Sequence, residues 1–309
     1  MPDHKKIRSV EHFGLQRKIV ANMTTESWET IPHAGTNYEP DVTDFWEMYQ
    51  QLRKTDPKWS RVTANTLMLY VVTQGILAAP VMNGHIYFRR KSANGRIEQH
   101  ESINISVPMS LPVGGMMTIN IHNCERMSLW QISDYIEDVR RRMENTDFET
   151  AMFEAAFENT IRLLKKGRVD IIAQRLLGNA FGKGKMSRLS GQARKDYFAI
   201  PATDRLTKRD IEQGSITVSN LGSVYRGSYA PPALLEIIPP QICVVGLGSV
   251  TERPGVVTAG DGAKEVVPRK FIPISLLFDH RALDYGDIVP FMQRLDHIFA
   301  HPEELKDWK

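Results

Sequence analysis

Apolar positions recur at helical spacing in the first half of the chain and as short continuous runs in the last third. That change predicts an α/β protein. Between Arg17 and Thr30, Ile19, Val20, Met23 and Trp28 fall at helical intervals, and Ile31-Pro32 ends the run. Asp41-Val42-Thr43-Asp44 supplies capping residues for a second helix through about Leu52. Thr63 to Ala79 is apolar on nearly every side, which predicts a buried helix. Its greasy stretch, Leu67 to Met82, is broken by Thr73, Gln74, Gly75 and Pro80 and is too short to span a bilayer. Gly84–Arg90 and Ile97–Met109 flank Ser92-Ala93-Asn94-Gly95, a hairpin pattern with Asn-Gly at the turn. Residues 103–107 alternate, Gly115–Ile121 reads as the next strand, and Ser128 to about Arg142 is an amphipathic helix.

Residues 148–182 look helical, with an apolar stripe at Val169, Ile172, Ala173, Leu176, Leu177 and Ala180, and a looser stretch covers 183–210. Strands are expected at Ser215–Ser219, Ile242–Leu247 and Phe271–Phe278; the last two are nearly unbroken apolar runs, the pattern of strands covered on both faces. A final helix runs from about Tyr285 to Ala300. The expectation is a single α/β domain with a mostly buried sheet and a helical, basic insertion near 143–205.

Composition narrows the classes. The 309 residues are 42% hydrophobic and 24% charged, ordinary for a globular protein with an extensive core. Two cysteines, Cys124 and Cys243, make no disulfide framework, and no Cys/His cluster has zinc-ligand spacing. MPDHKKIRSV carries no apolar stretch, so no signal peptide is expected and a cytoplasmic setting fits. Residues 159–195 hold ten Lys/Arg against one acid, Asp170, a local +9 that leaves −6 on the rest of the chain. A solvated basic face is the expected reading of that segment. Contact with an anionic membrane surface, coenzyme A phosphates or an acidic carrier protein are its alternatives. Nucleic acid is not expected, because interleaved aromatics and a recognisable binding module are missing.

Two short motifs can carry chemistry. Phe278-Asp279-His280-Arg281-Ala282-Leu283-Asp284 ends an apolar strand, and a histidine there with a carboxylate four residues on suits a general base and its orienting charge. The same spacing fits a histidine satisfied by Asp279 or Asp284 in a structural turn. Thr217-Val218-Ser219-Asn220-Leu221-Gly222 offers a hydroxyl for a developing oxyanion, or simply a Ser-Asn turn closing a strand.

Together these motifs resemble the catalytic domain of the dihydrolipoyl acyltransferase components of 2-oxoacid dehydrogenase complexes, within the chloramphenicol acetyltransferase-like superfamily. Gln16–Met23 with Ser27, Ile31, Pro32 and His33, then Pro80-Val81-Met82-Asn83, then Ser215–Gly222 with Pro239-Pro240-Gln241, and finally Ser275–Asp284 match the family's blocks in order and spacing. The resemblance implies a two-layer sandwich of a mixed sheet with helices on one face, and a single acyltransferase catalytic domain over 1–309. It implies a homotrimer with sites at subunit boundaries, coenzyme A as acyl-CoA substrate, and a lipoyl group delivered in trans by a lipoylated or other acyl-carrier protein. His280 would be the general base, Ser219 of the adjacent subunit the oxyanion donor, and Asp284 the carboxylate steadying the histidine loop, with Arg17 as its candidate salt-bridge partner. A chloramphenicol-type O-acyltransferase and a non-catalytic trimeric assembly protein are the competing readings; the former usually pairs two histidines where this chain has Asp279-His280.

The chain departs from the family pattern in places. Tyr285 stands where a glycine is usual, and a positive φ there would strain a tyrosine. A lipoyl domain and a peripheral subunit-binding domain are not expected within these residues. The polar end, 301–309, suggests a free trimer rather than a larger shell. The acyl group itself is left open.

Overall fold

A computed structural model of the chain describes residues 7–111, 115–152, 189–225 and 230–308. Four of the expected helices open the fold, α1 (Leu15–Thr30), α2 (Thr43–Thr55), α4 (Ala64–Ala78) and α5 (Leu129–Glu144), with a short unexpected α3 (Pro57–Ser60) following α2. α6 (Gly191–Ala199) and α7 (Lys208–Ile211) fall where the sequence reads as loose, and α8 (Tyr285–Ala300) closes the fold. Local chemistry explains the starts. Thr63 Oγ1 accepts from Thr66 N at 3.1 Å to cap α4. At α5, Gln131 N donates to Ser128 Oγ (3.2 Å) while Ser128 N donates to Gln131 Oε1 (2.8 Å), satisfying two donors that the first turn leaves unpaired.

The main sheet has six strands in the order β1 (His33–Tyr38), β10 (Ile274–Asp279), β7 (Cys243–Leu247), β6 (Ile216–Asn220), β4 (Ile105–Ser110), β5 (Met116–Ile121). β4, β6 and β7 run parallel and the other pairings are antiparallel, so the sheet is mixed, as expected. Two separate hairpins complete the fold, β2 (Gly84–Arg89) with β3 (Asn94–Gln99) and β8 (Thr251–Thr258) with β9 (Lys264–Phe271). The long second arm expected over 97–109 is in fact two strands in different sheets, and Asn94-Gly95 belong to β3 while Ala93 makes the turn at φ 47°. The 271–278 run is likewise divided at Ile272-Pro273 between β9 and β10.

The helices pack on one sheet face. Phe45 and Tyr49 of α2, the body of α4, Ile132 of α5 and Phe291 of α8 join Ile105, Val218, Val245, Leu276 and Phe278 in one buried core. The opposite face is polar, and its hydroxyls and amides are used for joining segments. Thr217 Oγ1 donates to Gln241 Oε1 (2.7 Å), Gln241 Nε2 donates to Gly214 O (2.8 Å), and Gly214 N donates to Ser106 Oγ (2.8 Å). Ile237 covers part of this face against Val244 and Leu277.

At the end of α5, Arg142 (7% exposed) pairs with Asp210 (6%) at 2.8 Å, and just beyond it Leu206 N donates to Thr146 Oγ1 at 2.8 Å. The chain is therefore tied together across the base of the expected insertion. The stripe expected over 169–180 and most of the basic 159–195 segment lie outside the described residues.

Candidate functional site

His280 sits one residue past β10, and backbone hydrogen bonds fix its place. Asp279 N donates to Ile242 O (2.8 Å), His280 N to Pro32 O (3.1 Å), and Ala282 N and Leu283 N both return to Asp279 O (2.8 and 3.1 Å). The Asp279 carboxylate, fully buried, receives Arg281 N (3.0 Å) and the Arg281 guanidinium through Nε (2.9 and 3.1 Å) and Nη2 (2.5 Å). That guanidinium lies over the Phe88 ring of β2, 5.5 Å from its centroid. Asp279 thus braces the turn and leaves His280 alone.

The imidazole is held through Nδ1, which lies 3.1 Å from Leu283 O and 3.3 Å from Asp284 Oδ1. Both neighbours are acceptors, so in the neutral ring Nδ1 carries the proton and Nε2 the lone pair. The arrangement is that of a positioned base. Asp284 comes to His280 as the spacing predicts. Arg17, exposed on α1, makes no ion pair with Asp284 among the described residues. Tyr285 occupies the first position of α8 without strain, since the only non-glycine residues with positive φ among the described residues are Ala93 and Asn123.

Ser219 lies on β6, and its neighbours in the motif are all committed. Thr217 bonds Gln241, and Asn220 gives Nδ2 to Asn65 Oδ1 (2.8 Å) and accepts Ser223 N (3.1 Å). Gly222 admits Gly248, whose carbonyl oxygen would lie 2.6 Å from any Cβ. Among the described residues Ser219 Oγ has no hydrogen-bond partner, so its proton is not committed to any of them. Within one chain, however, it is far from His280. Ser219 pairs with Gly246 and Gly246 with Ser275, so His280 stands five residues further along and two strands across. At about 3.3 Å per residue and about 4.8 Å per strand, the separation is roughly 19 Å.

Other reactive groups are accounted for. His33 Nδ1 lies 2.9 Å from Ile31 O, its Nε2 accepts Ile237 N (3.2 Å), and its ring stacks on Trp28 at 4.6 Å. It is a structural histidine. Burial pushes the Cys124 and Cys243 thiols up to about 12, which rules them out as thiolate nucleophiles near neutrality. Among the described residues there is no cluster of three or more metal-ligating side chains, and no helix long and apolar enough to cross a membrane. The Asp279–Arg281 brace and the Tyr285 ring beside His280 were not foreseen; the Asp-x-Arg spacing was the available signal for the first.

The fold is that of known acyltransferase catalytic domains. A probable dihydrolipoamide acetyltransferase of Listeria monocytogenes superposes with a TM-score of 0.62 at 18% identity, covering 95% of each chain. The dihydrolipoamide acetyltransferase of Azotobacter vinelandii, in which a serine, a histidine and an asparagine were investigated for their role in the catalytic mechanism, gives 0.59 at 18% identity over 96% of this chain and 93% of that one. The family model for the 2-oxoacid dehydrogenases acyltransferase (catalytic domain) matches residues 4–157 and 189–306, and the chain belongs to that family. The lipoamide acyltransferase component of the branched-chain alpha-keto acid dehydrogenase complex of Pseudomonas aeruginosa is 30% identical over 298 residues, 96% of this chain and 53% of the relative. The chain spans about a third to a half of the length of such curated relatives.

Proposed function

We propose that the chain transfers an acyl group between coenzyme A and a dihydrolipoyl thiol, at sites shared between copies of the chain. One observation carries the reading: His280 is fixed at a strand end with Nδ1 occupied and, among the described residues, no partner at Nε2, the posture of a general base. His280 Nε2 takes the proton of the attacking thiol. The thiolate sulfur adds to the thioester carbonyl carbon, and Ser219 Oγ–H donates to the resulting oxyanion. The intermediate collapses, the second sulfur leaves, and it recovers the proton from the His280 imidazolium. Asp284 favours the imidazolium as it forms. A roughly 19 Å gap within the chain favours a Ser219 from the adjacent subunit, in keeping with a homotrimer. The single domain over 1–309, the lipoyl carrier in trans and an Arg17–Asp284 contact between subunits belong to the same proposal.

The test measures free coenzyme A from acetyl- and succinyl-coenzyme A with dihydrolipoamide, comparing wild type with His280→Ala. A loss on the order of 10²–10⁴-fold is expected. Co-assembly of Ser219→Ala chains with His280→Ala chains then restores activity at the boundaries that combine an intact serine with an intact histidine. A folded, oligomeric wild type that turns over neither donor overturns the reading.

A further inference from the structure

We propose that Tyr285 is a positioning residue for His280, its ring fixing the plane of the imidazole. The proposal rests on His280 being the general base, yet its test reads the imidazole itself. The polar contacts of His280 leave this task undone. Leu283 O and Asp284 Oδ1 both approach Nδ1, so they restrain one atom of the ring. Asp284 is 83% exposed and His280 46%, and an ion pair so open to water restrains little.

Two aromatic rings supply the missing restraint. Phe278, fully buried, meets His280 edge-on at 5.7 Å and 79°, and meets Tyr285 at 5.2 Å and 86°. Tyr285 meets His280 at 6.1 Å and 83°. The rings are mutually perpendicular, so the imidazole stands in a corner, and turning about its Cβ–Cγ bond drives it against one wall or the other. Phe278 is locked by the core. Tyr285, itself 52% exposed, is held chiefly by its edge-on contact with Phe278, to which its hydroxyl adds a bond to Gly35 O at 3.2 Å. The departure from a glycine therefore costs no backbone strain and adds a wall beside the base.

The experiment compares wild type, Tyr285→Phe, Tyr285→Leu and Tyr285→Gly as intact assemblies of unchanged mass and circular dichroism. Ring ¹⁵N spectra of histidine-labelled protein at pH 8, with His280 assigned by its absence in His280→Ala, are expected to give a single Nδ1–H tautomer in wild type and Tyr285→Phe. Tyr285→Leu and Tyr285→Gly are expected to give a mixture. With acetyl-coenzyme A and dihydrolipoamide, kcat falls roughly 2- to 10-fold in Tyr285→Gly, the factor that one edge-to-face contact supports, with KM unchanged and Tyr285→Phe near wild type. An unchanged His280 spectrum in Tyr285→Gly, or a Tyr285→Phe as impaired as Tyr285→Gly, overturns the proposal. If wild type turns over neither donor while the tautomer mixture still appears, positioning by Tyr285 stands and the acyl-transfer reading falls.

Discussion

Ser219 lies level with Ser275 in the sheet, five residues short of His280 and two strands away from it. Among the described residues the hydroxyl makes no hydrogen bond. Ser219→Ala should therefore leave the thermal midpoint nearly unchanged, within the roughly 0.5 kcal/mol of a neutral surface substitution. Its kcat should fall about 10²–10³-fold, as for loss of one oxyanion donor. Calorimetry beside steady-state kinetics checks both halves, and a large stability loss would show the serine to be structural.

Asp279 and Asp284 flank the same histidine with opposite duties. Asp279 is buried and carries the Arg281 fork, so Asp279→Ala should cost on the order of 3 kcal/mol by stranding a cation and loosening the turn. Asp284 is exposed, so Asp284→Asn should cost less than about 1 kcal/mol and slow turnover no more than about fivefold. Urea midpoints for the pair should separate clearly.

His85 gives the fold a pH dependence. Burial first, and then the His100 ring 4.3 Å away, hold its imidazole below the ordinary value, against weaker opposing help from the Gly214 carbonyl and Glu98. The unfolded chain therefore takes the proton more readily than the folded one. The stabilisation is complete above about pH 6.5 and is lost as pH falls from there toward the depressed folded value. Denaturation midpoints at pH 8 and pH 5.5 should differ more for wild type than for His85→Asn; equal differences would remove the effect from His85.

Cys124 and Cys243 are buried among core residues with thiols raised to about 12. Iodoacetamide at pH 8 should leave both intact in the native protein and alkylate both in guanidinium, which peptide mass spectrometry can follow. Rapid native labelling of Cys243 would mean that β7 opens.

Elements with a strong period were legible in the linear pattern. α5 follows its apolar stripe, α4 its nearly all-round apolar pattern, and β7 and β10 follow nearly unbroken apolar runs that the structure buries completely. β1 was hidden because His33-Ala34-Gly35-Thr36-Asn37-Tyr38 carries little hydrophobic signal, and it forms by completing the open edge of β10. The β8–β9 hairpin escaped for a related reason: with Val256 and Val266 exposed, no buried face imposes alternation. At the site, His280 with Asp284 was readable from spacing. The gap between Ser219 and His280 was not, since register between strands is a property of the assembled sheet.

The anchors that place His280 are the carbonyl oxygens of Ile242 and Pro32 and the backbone of Asp279 and Leu283. A carbonyl is supplied by every amino acid. The main-chain position of His280 therefore depends on the backbone path at 32, 242 and 283 rather than on which side chains stand there, while the Asp279 carboxylate and the neighbouring rings still hold the turn and the imidazole. Such a turn can persist while much of the sequence around it is rewritten, and chains that share under a fifth of their residues with this one still superpose along nearly their whole length.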